Sequence, residues 1–291
     1  MKTFKTIYLI TIITITVCVV GLFGARRFGR LSGLFGSPDI VKDSVKTEPF
    51  QEIQLDADVA DFKIIEGDEY RVDYSYPSNI TVTGKVENGV LKVNVRGKVN
   101  KNGNNFLRIN GKGIQTVDTK LTIVVPEGSD LSKIDLSVDA GNIELKDRVF
   151  DDVVIASAAC NVELYKITSD KVKITADTGK ILVEKSTSKD AEFTLSAGAL
   201  EVNDSTFDTV DATGSLGSIR FDESDFTKGD IESSLGEVIV DGNFEDLTIK
   251  TSLGQIRVDS ENIEKAKLNL SMDMGEIEVN GDKKGGEYKQ N

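Results

Sequence analysis

A glycine recurs at nearly constant intervals between residues 131 and 280 of this chain. The recurring position is occupied by Gly141, Cys160, Gly179, Gly198, Gly217, Gly236, Gly254 and Gly275. Successive members are 19 residues apart, except that the last two intervals are 18 and 21 residues. Such a period is typical of repeat proteins, in which each unit buries its apolar face against its neighbours. This feature limits the possible folds more than any other in the sequence.

The residues around each glycine alternate between apolar and polar. With the glycine as position zero, positions −7, −5, −3 and −1 are mostly apolar or small, and positions +2 and +4 are apolar in all units. A period of two predicts strands with one buried face, so we expect all these positions to point inward. Because the alternation changes phase at the glycine, the chain must bend there. Glycine tolerates the positive φ that such a corner needs.

A further apolar position near +9 predicts a short third side for each unit. It is occupied by Phe150, Phe207, Phe226 and Ile263, with Phe244 shifted by one residue. Because parallel crossover connections are nearly always right-handed, we predict an all-β fold: a right-handed parallel β-solenoid of about eight 19-residue coils over residues 131–280. We expect an N-terminal β cap before the solenoid and one transmembrane helix before the cap.

The N-terminal region predicts a membrane anchor. After a flank at residues 1–6, residues 7–25 contain no charged side chain, and their number is near the lower limit for a membrane-spanning helix. No small-x-small cleavage site follows, so we expect an uncleaved helix. Residues 26–47, which contain Gly, Ser and Arg, are predicted to form a linker.

The regions on either side of the repeats differ from them. Residues 48–130 alternate without the 19-residue period and are predicted to form the β cap, with a hairpin at Asn88-Gly89. A solenoid needs such a cap because its open end exposes unpaired strand edges. The polar residues 281–291 are predicted to be a disordered tail.

Composition excludes several classes of function. The 291 residues carry 48 acidic and 35 basic side chains, which argues against a nucleic-acid partner. The chain contains no histidine, so it has no Ser-His-Asp or Cys-His arrangement and no histidine-based metal site. We therefore predict no catalytic residue and no cofactor, and we interpret Cys160 as a small packing residue in the glycine position.

Two sets of outward positions are candidate binding features. Hydroxyl side chains form columns at positions −2 and −4, at Ser196, Ser215, Ser234, Ser252, Thr175, Thr194 and Thr213. They are either a polar surface for a glycan or ordinary exposed strand residues. At position +5, Asp222, Asp241 and Asp259 are expected about 5 Å apart in successive coils. Their carboxylates are a candidate Ca²⁺ site, whereas the alternative is a row of turn residues.

The sequence resembles the bacterial putative-adhesin β-strand-repeat family, which has no known function. The segment 121–126, Leu-Thr-Ile-Val-Val-Pro, and the Ser-Leu-Gly phrases that begin at Ser215, Ser234 and Ser252 carry this resemblance. It implies a single-pass protein of the cell membrane whose β domain is extracellular. The implied role is non-enzymatic, in adhesion, cell-envelope binding or stress sensing, with an envelope glycan or another envelope protein as partner. A glycan-active β-helix enzyme and a self-assembling scaffold remain as alternatives.

Overall fold

The structure is a computed structural model that describes residues 39–97, 107–110, 113–116 and 119–290. Its strands are β1 (Ile40–Lys46), β2 (Glu52–Ala57), β3 (Ala60–Gly67), β4 (Arg71–Pro77), β5 (Ile80–Glu87), β6 (Val90–Gly97), β7 (Leu107–Asn110), β8 (Gly113–Thr116), β9 (Lys120–Pro126), β10 (Lys133–Glu184), β11 (Thr187–Asn203), β12 (Thr206–Asp222), β13 (Asp225–Asp241), β14 (Phe244–Asp259), β15 (Lys267–Val279), β16 (Asp282–Lys284) and β17 (Glu287–Gln290). The only helical element in the described residues is a single 3₁₀ turn, Ile263–Lys265.

The strands β10 to β15 stack in parallel and in register. Gly198 pairs with Gly179 on one side and with Gly217 on the other, and the same pairing continues through Gly236 to Gly275. The apolar position +2 follows the same rule, since Ile219 lies between Leu200 and Val238. The prediction of an all-β parallel β-solenoid is confirmed, with about six turns counted by these strands.

The predicted glycine corners are confirmed. Gly217, Gly236 and Gly254 have φ values of 130°, 153° and 146°, a region that residues with a side chain rarely adopt. The parallel pairing between neighbouring coils continues through each corner, so it runs along almost the whole coil while the direction of the chain changes. The change of phase in the alternation of apolar and polar residues therefore predicted the bend correctly.

Most of the predicted core is also confirmed. Positions +2 and +4 are buried in every coil, as at Val240, which is fully inaccessible to solvent. The +9 aromatics Phe150, Phe207, Phe226 and Phe244 are buried as well. Phe226 stacks on Phe244 with ring centroids 5.8 Å apart, so the third side of the coils contributes its own stack to the core. Ile263, in contrast, is only partly buried against it.

Position −1 does not point inward, and that part of the prediction is wrong. Leu216, Leu235, Leu253 and Met274 are exposed. The bend at the glycine begins one residue early, so the residue before it lies on the outside of the corner. The last inward position before each corner is −3.

Parallel stacking begins earlier than the predicted boundary at residue 131. The strands β2 and β3 pair in parallel with the start of β10, and Ala60 lies opposite Gly141 in the corner position. On the other side, β6 pairs in parallel with β2, and β9 pairs in parallel with β3. The region 48–130 is therefore partly solenoid. Its period is lost in the sequence because residues 68–130 are inserted between β3 and the next coil.

Antiparallel strands close the N-terminal end of the stack. β5 pairs with β6 through the predicted Asn88-Gly89 hairpin, and β4 pairs with β9. β1 then pairs with β4, so the predicted linker 26–47 is wrong for residues 40–46. All residues of β1 are exposed. Its sequence therefore lacks the regular alternation of apolar and polar residues that would indicate a strand with one buried face.

The C-terminal end is closed in the same way. β16 and β17 pair antiparallel with β15, and Tyr288 packs against the core. The predicted disorder of residues 281–291 is therefore wrong for residues 282–290. This segment is polar, but its backbone groups satisfy the free edge of the last coil.

The described part of the chain contains no helix long and apolar enough to cross a bilayer. The predicted flank and transmembrane helix at residues 1–25 lie outside the described residues.

Candidate functional site

The predicted acidic row lies at the second corner of each coil. Asp241 pairs with Asp259, and Asp222 occupies the same column one coil earlier, opposite Asn203. Arg220 lies 3.6 Å from the carboxylate of Asp222, and Arg257 lies 2.7 Å from that of Asp259. Two of the three carboxylates are thus already neutralised by an arginine two residues earlier on the same face of the strand.

This row is not assembled as a metal site. Asp241 and Asp259 line an open depression of about 660 Å³, but no three acidic, histidine or cysteine side chains of the described residues are grouped so that they could hold a metal ion. The Ca²⁺ site at Asp222, Asp241 and Asp259 therefore remains a prediction from the sequence that this geometry does not support.

The predicted hydroxyl columns lie on the outer face of the solenoid. Thr194 lies in register between Thr175 and Thr213. The serines at position −2, such as Ser215 and Ser234, are exposed. The described structure gives none of these hydroxyls a hydrogen bond to the next member of its own column, so they are an exposed polar surface rather than a bonded ladder.

An exposed apolar column runs beside the serines, and the sequence analysis missed it. We call Leu216, Leu235, Leu253 and Met274 the ridge. Their exposed fractions are 53%, 45%, 43% and 67%. They pair in register across β12 to β15, so their side chains follow one another about every 4.8 Å. The repeated Ser-Leu-Gly phrase is the signal that could have identified them.

Three acidic side chains flank the ridge. Glu237 and Glu276 follow the corner glycines directly and are exposed or half-buried, and Asp273 precedes Met274. Residues 131–291 as a whole carry 33 acidic and 18 basic side chains. A partner with basic groups beside an apolar strip would match this surface in both respects.

A second acidic cluster lies on the flat face before the corners. Asp211 pairs with Glu192 on one side and Asp230 on the other. Partial burial raises the pKa of the Asp211 carboxyl, and the charges of Asp230, Glu192 and Glu232 raise it further, against an opposing effect of Lys173. One carboxylate oxygen of Asp230 is buried without a hydrogen-bond partner.

Cys160 occupies the corner position as predicted. Its side chain is buried, and its Sγ donates a hydrogen bond to the carbonyl oxygen of Val138 at 3.4 Å. Burial raises the pKa of the thiol to about 11, so little reactive thiolate is present at neutral pH.

The chain matches the model of a known protein family. The model of the family described as Toastrack DUF4097 matches residues 50–238. This range begins just before β2 and ends within β13, so it contains Leu216 and Leu235 of the ridge but not the later coils. No curated protein matches the chain.

Solved bacterial structures share the fold at low sequence identity. A putative adhesin from Parabacteroides merdae superposes with a TM-score of 0.58 at 15% identity and covers 84% of this chain and 97% of its own. A putative lipid binding protein from Parabacteroides distasonis gives 0.55 at 18% identity, with 83% and 96% covered. A putative adhesin from the same species gives 0.54 at 14% identity, with 84% and 98% covered. These similarities concern the fold.

Proposed function

Because the chain belongs to the Toastrack DUF4097 family, we propose that it is a non-enzymatic, membrane-anchored β-solenoid of the cell envelope. In this proposal the solenoid stands outside the cytoplasm and binds an envelope partner through the ridge. The names of the structural neighbours support binding rather than catalysis, since two are called adhesins and one a lipid binding protein.

The observation that carries the proposal is the ridge itself. Single exposed leucines are common on protein surfaces, but a contiguous exposed apolar row is unusual and marks an interaction site. All four side chains are at least 43% exposed, whereas the apolar side chains at positions +2 and +4 of the same coils are buried. Neither strand formation nor core packing requires leucine on the outside of a corner.

The membrane anchor is supported by the sequence of residues 7–25, which contains no charge. The first strand begins at Ile40, so a short segment connects the proposed helix to the β domain. We further infer that the solenoid is right-handed and that β10 contributes three of eight coils. Its length of 52 residues supports this count, as does the hydrogen bond from Asn161 to Asn142, which are 19 residues apart.

The two alternative functions receive less support. A glycan-active enzyme needs carboxylates that converge in a groove, whereas the acidic residues of the coils follow straight columns. A scaffold that grows end to end needs open strand edges with matching direction. Here the parallel stack is closed by antiparallel strands at both ends.

Cysteine labelling on intact cells tests both the location and the ridge. The natural cysteines are Cys18, which is replaced by alanine, and Cys160, which is buried. Leu235→Cys places a thiol in the ridge, and Glu245→Cys places one at an exposed position outside it. The reagent is a maleimide that does not cross membranes.

We expect Glu245→Cys to be labelled on intact cells. Leu235→Cys should be labelled more slowly than Glu245→Cys on cells, and at a similar rate once the protein is purified, because the partner then no longer covers the ridge. Labelling of both variants only after lysis would contradict the location. Equal labelling of both variants on intact cells would contradict an occupied ridge.

A further inference from the structure

A polar groove crosses the outer sheet face at the N-terminal end of the solenoid. It has a volume of about 770 Å³ and lies over β1, β4 and β9. Its residues include Ser44, Asp73, Ser75 and Thr122 on the sheet and the long side chains of Lys42 and Arg71. Polar and charged groups therefore converge here from three strands that are distant in sequence.

Ser75 is the unusual residue of this groove. Lys42 lies directly opposite it on β1, and Lys120 lies directly opposite it on β9. Ser75 is only 8% exposed, yet its Oγ has no hydrogen-bond partner. A buried hydroxyl group without a partner is unfavourable, and such groups in native structures call for an explanation. An oxygen atom of a ligand could accept the hydrogen bond that this hydroxyl group can donate.

The charges of the groove leave a cation available. The carboxylate of Asp73 accepts hydrogen bonds from Arg71 at 3.1 Å and from Ser44 at 2.5 Å. The tyrosine hydroxyl of Tyr74 donates to Asp43 at 3.2 Å.

The third carboxylate of the groove, Glu69, forms an ion pair with Lys46 at 2.6 Å. In contrast, the described structure gives Lys42 no hydrogen bond and no ion pair. Asp73 and Glu69 are thus each paired with a cation inside the protein, and Asp43 accepts hydrogen bonds from neutral groups. The ammonium group of Lys42, in contrast, has no such partner among the described residues. An anion is the ligand that matches this arrangement.

The groove continues across the sheet toward a second free cation. Thr122 and Lys120 also line an adjoining depression of about 430 Å³ that contains Lys63. Lys63 is exposed and has no ion pair within the described residues. Because Lys42 and Lys63 are three strands apart in the sheet, their backbones are separated by about 14 Å. Asp61, Glu144 and Glu163 also line this second depression, so the anion site is confined to the groove over β1, β4 and β9.

We propose that this groove binds the phosphate of an anionic lipid headgroup, held by Lys42 and the hydroxyl group of Ser75. The inference rests on the proposed membrane anchor for its choice of a lipid. β1 follows residue 25 by only 15 positions, a length that spans at most about 50 Å when extended. The groove is therefore within reach of the headgroup layer in which the proposed anchor sits. Arg26, Arg27 and Arg30 lie in the intervening sequence and would favour the same anionic lipids.

Calorimetric titration of the full chain in a neutral detergent tests the proposal. The ligands are short-chain phosphatidylglycerol, short-chain phosphatidylcholine and inorganic phosphate. We expect phosphatidylglycerol to bind, and Lys42→Gln and Ser75→Ala each to weaken its binding by about tenfold, the usual effect of losing one charge-assisted contact. The matched control is Lys228→Gln, which removes an exposed lysine of the distant β13 and should leave the affinity unchanged.

The three ligands distinguish a lipid headgroup site from a site for free phosphate and from binding that does not depend on the anion. Tighter binding of phosphatidylglycerol than of the other two ligands, with loss in both groove variants, supports a lipid headgroup site. Equal binding of inorganic phosphate would overturn the lipid assignment. Equal binding of phosphatidylcholine, or an equal loss in Lys228→Gln, would overturn the anion site itself. Because the titration is done in solution, its result is independent of the labelling experiment on the location of the solenoid.

Discussion

At the scale of single residues, the corner glycines are the positions least able to change. A Cβ atom on Gly217 would lie 1.7 Å from the carbonyl oxygen of Gly198 in the preceding coil, and the φ of Gly217 is 130°. Gly236 and Gly254 show the same close approach to the glycine before them. Each corner therefore needs glycine both for its backbone conformation and for the distance between coils.

Gly217→Ala should destabilise the protein by at least about 1–3 kcal/mol, the usual cost of an unfavourable backbone conformation. The clash with Gly198 would add to that figure. Urea unfolding followed by circular dichroism measures the change. Gly285→Ala is the control, because a Cβ there meets no atom within 4 Å. Equal midpoints for the two variants would contradict the explanation of the corners.

Asp211 gives a prediction for pH dependence. Its pKa in the folded protein is raised by burial and by Asp230, Glu192 and Glu232, so the folded state binds a proton more readily than the unfolded state does. The protein therefore loses stability as the pH rises through the raised pKa, and the loss persists at neutral pH.

Asp211→Asn should accordingly raise the melting temperature at pH 7. The gain should disappear near pH 3, where Asp211 is protonated in both states. Glu245→Gln, which removes an exposed carboxylate outside this cluster, serves as the control and should change little at either pH. An equal gain in Asp211→Asn at both pH values would show that the charge of Asp211 is not the cause.

The sequence predicted the direction of most side chains but not that of the ridge. At Val238 and Val240 the alternation and the burial agree. At Leu235 they disagree, because period two says which residues share a face but not at which residue a bend begins. The change of phase indicates a bend close to the glycine, and only the coordinates show that it begins before position −1.

At the scale of elements, a buried serine column joins successive coils at the second corner. The backbone N–H of Ser186 donates to the Oγ of Ser205 at 3.1 Å, and the N–H of Ser205 donates to the Oγ of Ser224 at 3.2 Å. Each hydroxyl group in turn donates to the carbonyl oxygen two residues earlier, as Ser205 does to Asn203 at 2.8 Å. The column satisfies backbone groups that the change of direction removes from the strand pairing.

Ser205→Ala should cost about 1–3 kcal/mol, because it leaves the buried N–H of Ser186 without an acceptor. Chemical unfolding of the purified protein provides the measurement. The control is Ser215→Ala, which removes an exposed hydroxyl group and should change stability by less than about 0.5 kcal/mol. If Ser215→Ala were as costly as Ser205→Ala, the buried column would have no special role.

The sequence missed some strand pairings and some strands that lie at the edges of the stack. β2 and β3 stack on β10 across an insertion of more than 60 residues, so no period connects them. β1 and β17 have little or no buried side chain and are held by backbone pairing with β4 and β15. Composition and alternation describe side chains, and therefore they do not reveal strands that only complete an edge.

At the scale of the whole molecule, the N-terminal segment differs in charge from the solenoid, and the ends of the solenoid differ from its long sides. The first 38 residues carry five basic and no acidic side chains, whereas residues 131–291 carry 33 acidic and 18 basic ones. Antiparallel strands close both ends of the stack. The ends are thus unsuited to growth, and the long sides of the solenoid, with the ridge and the hydroxyl columns, are the surfaces left for binding.

The central claim is that the ridge binds a partner. The most direct test is the size of the complex released from cells by a mild detergent, measured by native gel electrophoresis for the wild type and for a variant with Leu216→Ser, Leu235→Ser and Leu253→Ser. The control variant carries Ser215→Ala, Ser234→Ala and Ser252→Ala, which alter the neighbouring hydroxyl column. All three proteins should melt within a narrow range, because the replaced side chains are exposed.

The account predicts that the wild type and the serine-to-alanine control migrate as a complex larger than the chain alone. The leucine variant should migrate at the size of the chain alone. A leucine variant that stays in the large complex would contradict the claim that the ridge binds the partner.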